Sequence, residues 1–251
     1  MGIDVIDDLV VLGRCGIEEL QDGRETICLG GWSDERGFVR LYPTQAKMKE
    51  LSRWNVVRVP AVHEPSHDNR KESYKIYRSN ADWDQLHTRI EKIGRLDKEK
   101  RIRLVDRLPK RCSRELNNDR VSLGIMEPEE IKEVYTKTPE EAQVKFDRTS
   151  KKNHERVRIA FECVDCQLKT YHDKSCNEWG IYQFWKNNPQ YDTNEVIDAM
   201  NLLNEDYKHL FFVGNLANQL TSYIIISVLR FKQSEWESVL GLRTKPVLEN
   251  W

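Results

Sequence analysis

The chain has 251 residues and a formal net charge of −1, from 40 basic and 41 acidic side chains, and 39% of it is hydrophobic. That is enough apolar material for one large or two small domains, and it excludes a surface coated throughout in positive charge while leaving room for local patches. The longest apolar run, Tyr223 to Leu229, falls far short of the roughly eighteen residues a membrane span needs.

The N-terminus is acidic before it is apolar, the reverse of a secretory signal, and Ile6 breaks the Gly2 myristoylation pattern. The expected location is therefore the cytoplasm, with six cysteines that serve as reduced thiols or metal ligands.

In chain order, the first eighty residues read as short strands: Val10–Leu12, Thr26–Leu29, Phe38–Tyr42 and Asn55–Val59. Turn signals at Asp22-Gly23, Gly30-Gly31, Arg36-Gly37 and Pro43 separate them, and a short helix spans Gln45 to Arg53. This spacing predicts a small barrel or strongly bent sheet. A helix is predicted over Ala81 to Ile93 from the stripe Trp83, Leu86, Ile90 and Ile93. Lys98 to Arg120 reads as an exposed, partly helical basic connection. Glu127-Pro128-Glu129-Glu130 reads as a helix start, and Thr136 to His154 as a polar surface crossing.

Strict alternation over Glu155 to Cys163 predicts a half-buried strand. Helices are expected over about His172 to Asn187 and Thr193 to Tyr207. Two nearly all-apolar strands, Leu210 to Val213 and Tyr223 to Phe231, are predicted to be covered on both faces. No internal repeat is visible. The expected fold is α+β, an N-terminal barrel-like lobe (1–95) joined by a charged connection (96–154) to a C-terminal α/β lobe (155–251) with a zinc knuckle.

Three groups of residues suggest chemistry. Cys163, Cys166, His172 and Cys176 have the spacing C-x2-C-x5-H-x3-C. The first pair sits at a strand end and the second pair one helical turn apart, so the four are expected to close a tetrahedral, structural Zn2+ site. The alternatives are plain core packing and an iron–sulfur cluster that recruits Cys112; Cys15 and Cys28 read as core. Asp68, Arg70 and Glu72 would share one face of an extended segment, with His63 and His67 upstream. They are candidate acid–base groups on a phosphorylated or nucleic-acid substrate, or else a solvated salt-bridge ladder.

Lys100, Arg101, Arg103, Arg107, Lys110 and Arg111 could track a nucleic-acid backbone, with Arg148, Lys151, Lys152, Arg156 and Arg158 extending the patch. The alternative is a solvated face neutralised by nearby acids. Trp32, Trp236 and Trp251 are candidate anchors for a protein partner. No nucleotide loop, dinucleotide fingerprint or hydrolase motif is present.

Five motifs in order are familiar together: Gly37-Phe38-Val39-Arg40-Leu41-Tyr42-Pro43, Asp68-x-Arg70-x-Glu72-Ser73-Tyr74, Ser122-Leu123-Gly124-Ile125 with Pro128, the Cys/His segment leading to Glu178-Trp179, and Phe211-Phe212-Val213-Gly214-Asn215. The arrangement resembles a family of uncharacterised prokaryotic proteins of similar length. The resemblance implies one integrated architecture and a place beside nucleic-acid or mobile-element defence systems, and transfers no catalytic residue. The expected function is a nucleic-acid-binding accessory protein, with a protein-interaction module and an enzyme as alternatives.

Overall fold

The computed structural model describes residues 3–19, 23–45, 47–63, 68–77, 83–137, 156–164, 166, 171–188, 193–217 and 219–242. The predicted barrel begins with β1 (Asp4–Arg14), β2 (Glu18–Glu19), β3 (Glu25–Ser33), β4 (Gly37–Thr44), β5 (Asn55–Val62), β6 (Ser73–Ile76) and β7 (Glu91–Arg95). Alternation aims Ile6, Leu9, Val11, Leu29, Val39, Leu41, Val57, Val59 and Ala61 at a common interior. Bulges at Ile6/Leu9, Val11/Gly13 and Ile27/Leu29 bend the strands far enough to close. The ring runs β1-β3-β4-β6-β5 and back to β1, and its pairs are antiparallel except β4–β6. A turn of 3-10 helix, Lys49–Leu51, lies between the third and fourth ring strands.

The second half contributes α1 (Lys98–Arg107), α2 (Ser113–Asn118), β8 (Leu123–Met126), β9 (Pro128–Lys137), β10 (Arg156–Cys163), β11 (His172–Ser175), α3 (Trp179–Asn187), α4 (Thr193–Met200), β12 (Tyr207–Leu216), β13 (Gln219–Lys232) and α5 (Gln233–Leu240). β8 and β9 are two strands interrupted at Glu127. β9 pairs β10, β10 pairs β11, and β8 pairs β12, which pairs β13. Cys176, just past β11, makes a parallel bridge to Ile225 of β13 and closes the circuit. Counting β8–β9 as one strand, the cyclic order and the position of the parallel contact repeat those of the first ring, and helices again fill the gap between third and fourth strands. The repeat is one of topology, which a sequence without repeats does not reveal. The interior here is Met126, Val157, Ile159, Phe161, Phe211, Val213 and Ile225, plugged by Ile181, Val196 and Leu202.

A third apolar cluster joins the rings. Val10 and Leu12 meet Leu123, Ile125, Leu210, Phe212, Ile226 and Leu229, with Ile102 and Val105 of α1 and Trp236 of α5 at the margin. β8, β12 and β13 therefore have cover on both faces, as uniform composition predicts for Leu210–Val213 and Tyr223–Phe231. Gly30 has a specific part in this. A Cβ there would lie 2.4 Å from Phe212 Cε1, so the bare backbone is what lets the Phe212 ring seat on β3.

Four predicted helices take other forms, the Gln45–Arg53 helix being reduced to the 3-10 turn Lys49–Leu51. The segment after Glu127 is strand β9. Its apolar Ile131 and Val134 are three apart, which mimics a helix, but a bulge opposite Ala160/Phe161 returns both to one face, opposite Phe161 and Ile159. Trp83–Arg89 is 3-10 helix, and Ile93 lies on β7 and is exposed. His172–Ser175 pairs with Arg158–Phe161 as a strand, and helix begins only at Trp179.

Candidate metal centre and nucleic-acid interface

Cys163 ends β10, Cys166 follows the turn, His172 opens β11, and Cys112 precedes α2. Their ligand atoms all lie within 4.8 Å of one another. His172 Nε2 is 3.1 Å from Cys163 Sγ, 3.3 Å from Cys166 Sγ and 3.4 Å from Cys112 Sγ, and the sulfurs of Cys112 and Cys166 are 3.3 Å apart. A tetrahedral zinc with bonds of about 2.3 Å to sulfur and 2.0–2.1 Å to nitrogen sets such gaps within a few tenths of an ångström of these values. The cluster is compatible with a metal site.

Cys176 is not part of it. In a helix, residues i and i+4 stack one turn apart, whereas in strand β11 they share a face but lie about 13 Å apart along it. Cys176 instead packs in the second barrel, where burial raises its thiol pKa. Cys112 takes the fourth position, brought there because its backbone N–H donates to Glu115 at 2.7 Å in a helix-start turn. The C-S-R-E sequence is the signal that marks it as a helix-start residue.

The protonation states leave His172 free to ligate and the thiols neutral until an ion binds. Burial pushes the Cys163 and Cys112 thiols up, and burial followed by Lys174 holds His172 down at about 4, in its neutral, ligating form. Buried thiols resist ionising alone, but a bound dication reverses that. Lys174 faces the thiols and can offset the net negative charge of three thiolates on one dication.

The acid–base candidates converge, but at the seam between rings. Residues 68–72 are loop and turn, so the single extended face is not formed. Asp68 accepts from Arg70 Nε at 2.8 Å and from Ser73 Oγ at 2.5 Å. Arg70 Nη1 donates to the Asn215 carbonyl at 2.9 Å. Glu72 accepts from the Ser122 hydroxyl at 2.8 Å and the Ser122 N–H at 3.1 Å. Glu72 thus clamps ring one onto Ser122, while Asp68 holds in place the Arg70 that reaches Asn215. Burial would raise the Asp68 pKa, but the hydrogen bonds from Arg70 and Ser73 outweigh it and hold the group at about 2. His63 accepts from or donates to no carboxylate among these; its Nδ1 lies 2.8 Å from the Ser73 carbonyl. His67 is outside the described residues.

The basic segment is largely neutralised where it stands. Lys100 pairs with Asp97 at 3.5 Å, Arg103 with Glu99 at 2.8 Å, Arg107 with Asp34 at 2.5 Å and Arg111 with Asp119 at 2.5 Å. Lys110 donates to the Asp106 carbonyl, and Arg101 lies over the Trp54 ring, 5.7 Å from its centroid. Arg148, Lys151, Lys152 and Trp251 lie outside the described residues. Trp236 is buried in the seam rather than exposed, and Trp32 packs edge-on against Phe38 at 5.0 Å.

Arg158, one of the residues expected to extend the basic patch, belongs to a second polar surface whose other members, Tyr135, Lys137 and Asp173, spacing does not single out. On β9, β10 and β11, Arg158 Nε donates to Asp173 Oδ1 at 2.9 Å, Tyr135 Oη donates to Asp173 Oδ2 at 2.8 Å, and Lys137 Nζ lies 5.6 Å from the Tyr135 ring centroid. The three meet only because β9 is a strand in register with β10, with Tyr135 opposite Arg158.

The chain is, by class, an α+β protein whose N-terminal half is a closed five-stranded barrel. Residues 8–107, which hold most of that barrel and α1, match a domain of unknown function, DUF8758. No curated protein matches the chain. Among solved structures, the crystal structure of the tetrameric p202 HIN2 aligns with 92% of this chain and 95% of its own at 8% identity and a TM-score of 0.28, a level that leaves the fold to be read from strand pairing itself.

Proposed function

We propose that this chain is a nucleic-acid-binding accessory protein built from two OB-type barrels, the second held together by a structural zinc. The carrying observation is the ring order found twice, first-second-third-fifth-fourth with a parallel contact between third and fifth strands. That order, with helix between third and fourth strands, is that of the OB barrel, whose second and third strands present a surface to oligonucleotides. In ring one those strands are β3 and β4, and their outer face is covered by Phe212 and its neighbours. In ring two they are β10 and β11, where Arg158 of β10, together with Tyr135 and Lys137 of the adjoining first strand β9, supplies the cation-and-aromatic chemistry that single strands require. We assign the contact surface there.

On this reading the N-terminal domain ends near residue 95, and 96–154 supplies the seam helix and the first strand of the second barrel. Cys112, Cys163, Cys166 and His172 hold the zinc. Donors this close together suit a single ion better than a multi-iron cluster, and four protein ligands leave no site for substrate water.

The exposed side chains of Lys100, Arg103 and Arg107 support a secondary contact. Exposed ion pairs are worth about 0–1 kcal/mol, so a phosphate can displace their acidic neighbours.

Fluorescence anisotropy with single-stranded DNA and RNA oligonucleotides over a salt series tests the assignment. Binding should weaken linearly in log–log form with salt, and Lys137→Ala should reduce the slope by about 0.7 for a single strand. Undetectable binding at low salt, or a Lys137→Ala/Tyr135→Ala double variant that binds as the parent does, refutes it.

A further inference from the structure

Cys15 and Cys28 read as core residues in the sequence, yet their surroundings are not those of inert thiols. The β1–β3 register pairs Gly13 with Gly30 and Arg14 with Leu29, so Cys15 falls opposite Cys28, and Cys15 N donates to the Cys28 carbonyl at 2.9 Å. Directly opposed residues of an antiparallel pair send their side chains to one face, with Cα atoms about 5.5 Å apart at a hydrogen-bonded position, inside the range a disulfide spans. The Cys15 thiol is within hydrogen-bond reach of the Cys28 sulfur.

Arg40 completes the arrangement. It pairs with Gly30 on β4, which sets its side chain diagonally beside Cys28, and Nη1 donates to Cys28 Sγ at 3.2 Å. Arg40 is 3% exposed. Its Nη2 goes to the Ser122 carbonyl at 3.0 Å, its Nε has no acceptor, and no carboxylate salt-bridges it among the described residues. A buried guanidinium needs a counter-charge, and the sulfur it touches can supply one by ionising. The other charges facing that sulfur come from the loop before β6, where Arg70 is itself paired with Asp68. The hydrogen bond from Cys15, then Arg40 and Arg70, outweigh burial and hold the Cys28 thiol at about 5.

We propose that Cys28 and Cys15 form a peroxide-oxidisable thiol pair, with Cys28 as the attacking thiolate and Cys15 as the resolving thiol. The Cys28 sulfur attacks one oxygen of hydrogen peroxide. The O–O bond breaks, the leaving hydroxide takes up a proton to become water, and Cys28 becomes a sulfenic acid. Cys15 then gives up its proton and attacks that sulfur. An S–S bond forms, and the sulfenic oxygen leaves with protons as a second water. Two thiols are oxidised and one peroxide is reduced. The pair lies on the seam, since Cys15 bridges Glu178 and Gly16 N donates to the Asn177 carbonyl at 2.9 Å.

The test uses the full chain loaded with zinc, so that the four clustered ligands are occupied. After treatment with about one equivalent of peroxide near neutral pH and thiol blocking, trypsin separates Cys15 from Cys28 at Arg24. The expected product is a linked pair of peptides, 15–24 with 25–36, released by dithiothreitol. Cys15→Ser should instead give a dimedone adduct on Cys28. Iodoacetamide alkylation of Cys28 in the unmodified chain should reach its plateau below about pH 7, where an ordinary thiol still rises towards its pKa of about 8.5. Cys28 left unmodified while other cysteines oxidise, or a Cys28 alkylation profile centred near the ordinary thiol value, overturns the proposal.

Discussion

Replacing Cys112 and replacing Cys176 should have opposite consequences for metal content. Cys112 is 54 residues from Cys166 and 60 from His172, whereas Cys163, Cys166 and His172 lie within a short segment, His172 being 9 positions after Cys163. On the proposed ligand set, Cys112 therefore closes a long loop and ties α2 to the β10–β11 turn. The chain-entropy relation for a cross-link of that loop length gives about 4 kcal/mol, an upper figure because the denatured chain is not fully random. Cys112→Ser should lower stability by up to that amount and weaken zinc retention, since three ligands and a solvent molecule replace a closed set. Cys176→Ala removes one buried thiol from the second barrel, should cost about 1–2 kcal/mol as a packing loss, and should leave one zinc per chain. Inductively coupled plasma mass spectrometry after dialysis against a weak chelator reads the metal, and urea denaturation reads the stability. If Cys176→Ala loses the metal and Cys112→Ser keeps it, the ligand set is wrong. If neither protein nor variants purify with a stoichiometric cation, the centre itself is.

Asp68→Asn should destabilise by about 2 kcal/mol at neutral pH, because a carboxyl held at about 2 against an ordinary value near 4 is stabilised as the anion. The gap between variant and parent should be full above about pH 4 and close as pH falls towards 2; urea midpoints at several pH values check it, and a pH-independent gap would contradict it. Gly30→Ala should cost about 1–3 kcal/mol by driving a methyl into Phe212. Phe212→Leu should relieve part of that cost, so a double-mutant cycle that comes out additive would show the two do not press on each other. A triple Lys100→Ala/Arg103→Ala/Arg107→Ala variant should keep its melting temperature within a few degrees, since its ion pairs are exposed, while losing oligonucleotide affinity more steeply at low salt than at high.

The strands were legible in the sequence wherever alternation is regular. Arg156–Cys163 and the apolar β12 and β13 are found near their predicted positions, and the four N-terminal strands are there with longer ends. Errors cluster where irregular backbone imitates another period. Ile131 and Val134 share a face through a bulge, and His172 and Cys176 share one through a strand's repeat of two rather than a helix's 3.6. Of the metal cluster, the local trio was readable because its members are close in the chain. Cys112 could not be placed by spacing, since its approach depends on β8 threading the second ring. Charge counts saw the basic run on α1 and the acids beside it, such as Asp97 and Glu99, but not Asp34 and Glu235, which reach it from distant parts of the fold.

The seam has a bearing on where the N-terminal unit can occur. Val10, Leu12, Trp54, Phe38 and Gly30 present a greasy, flat exterior within residues 8–107, and here β12 and β13 shield it. A protein that carried the same unit ahead of a different C-terminal half would expose that exterior to water unless it supplied another shield. Any chain sharing only this stretch would therefore need a replacement cover, or a second such unit pressed against it face to face.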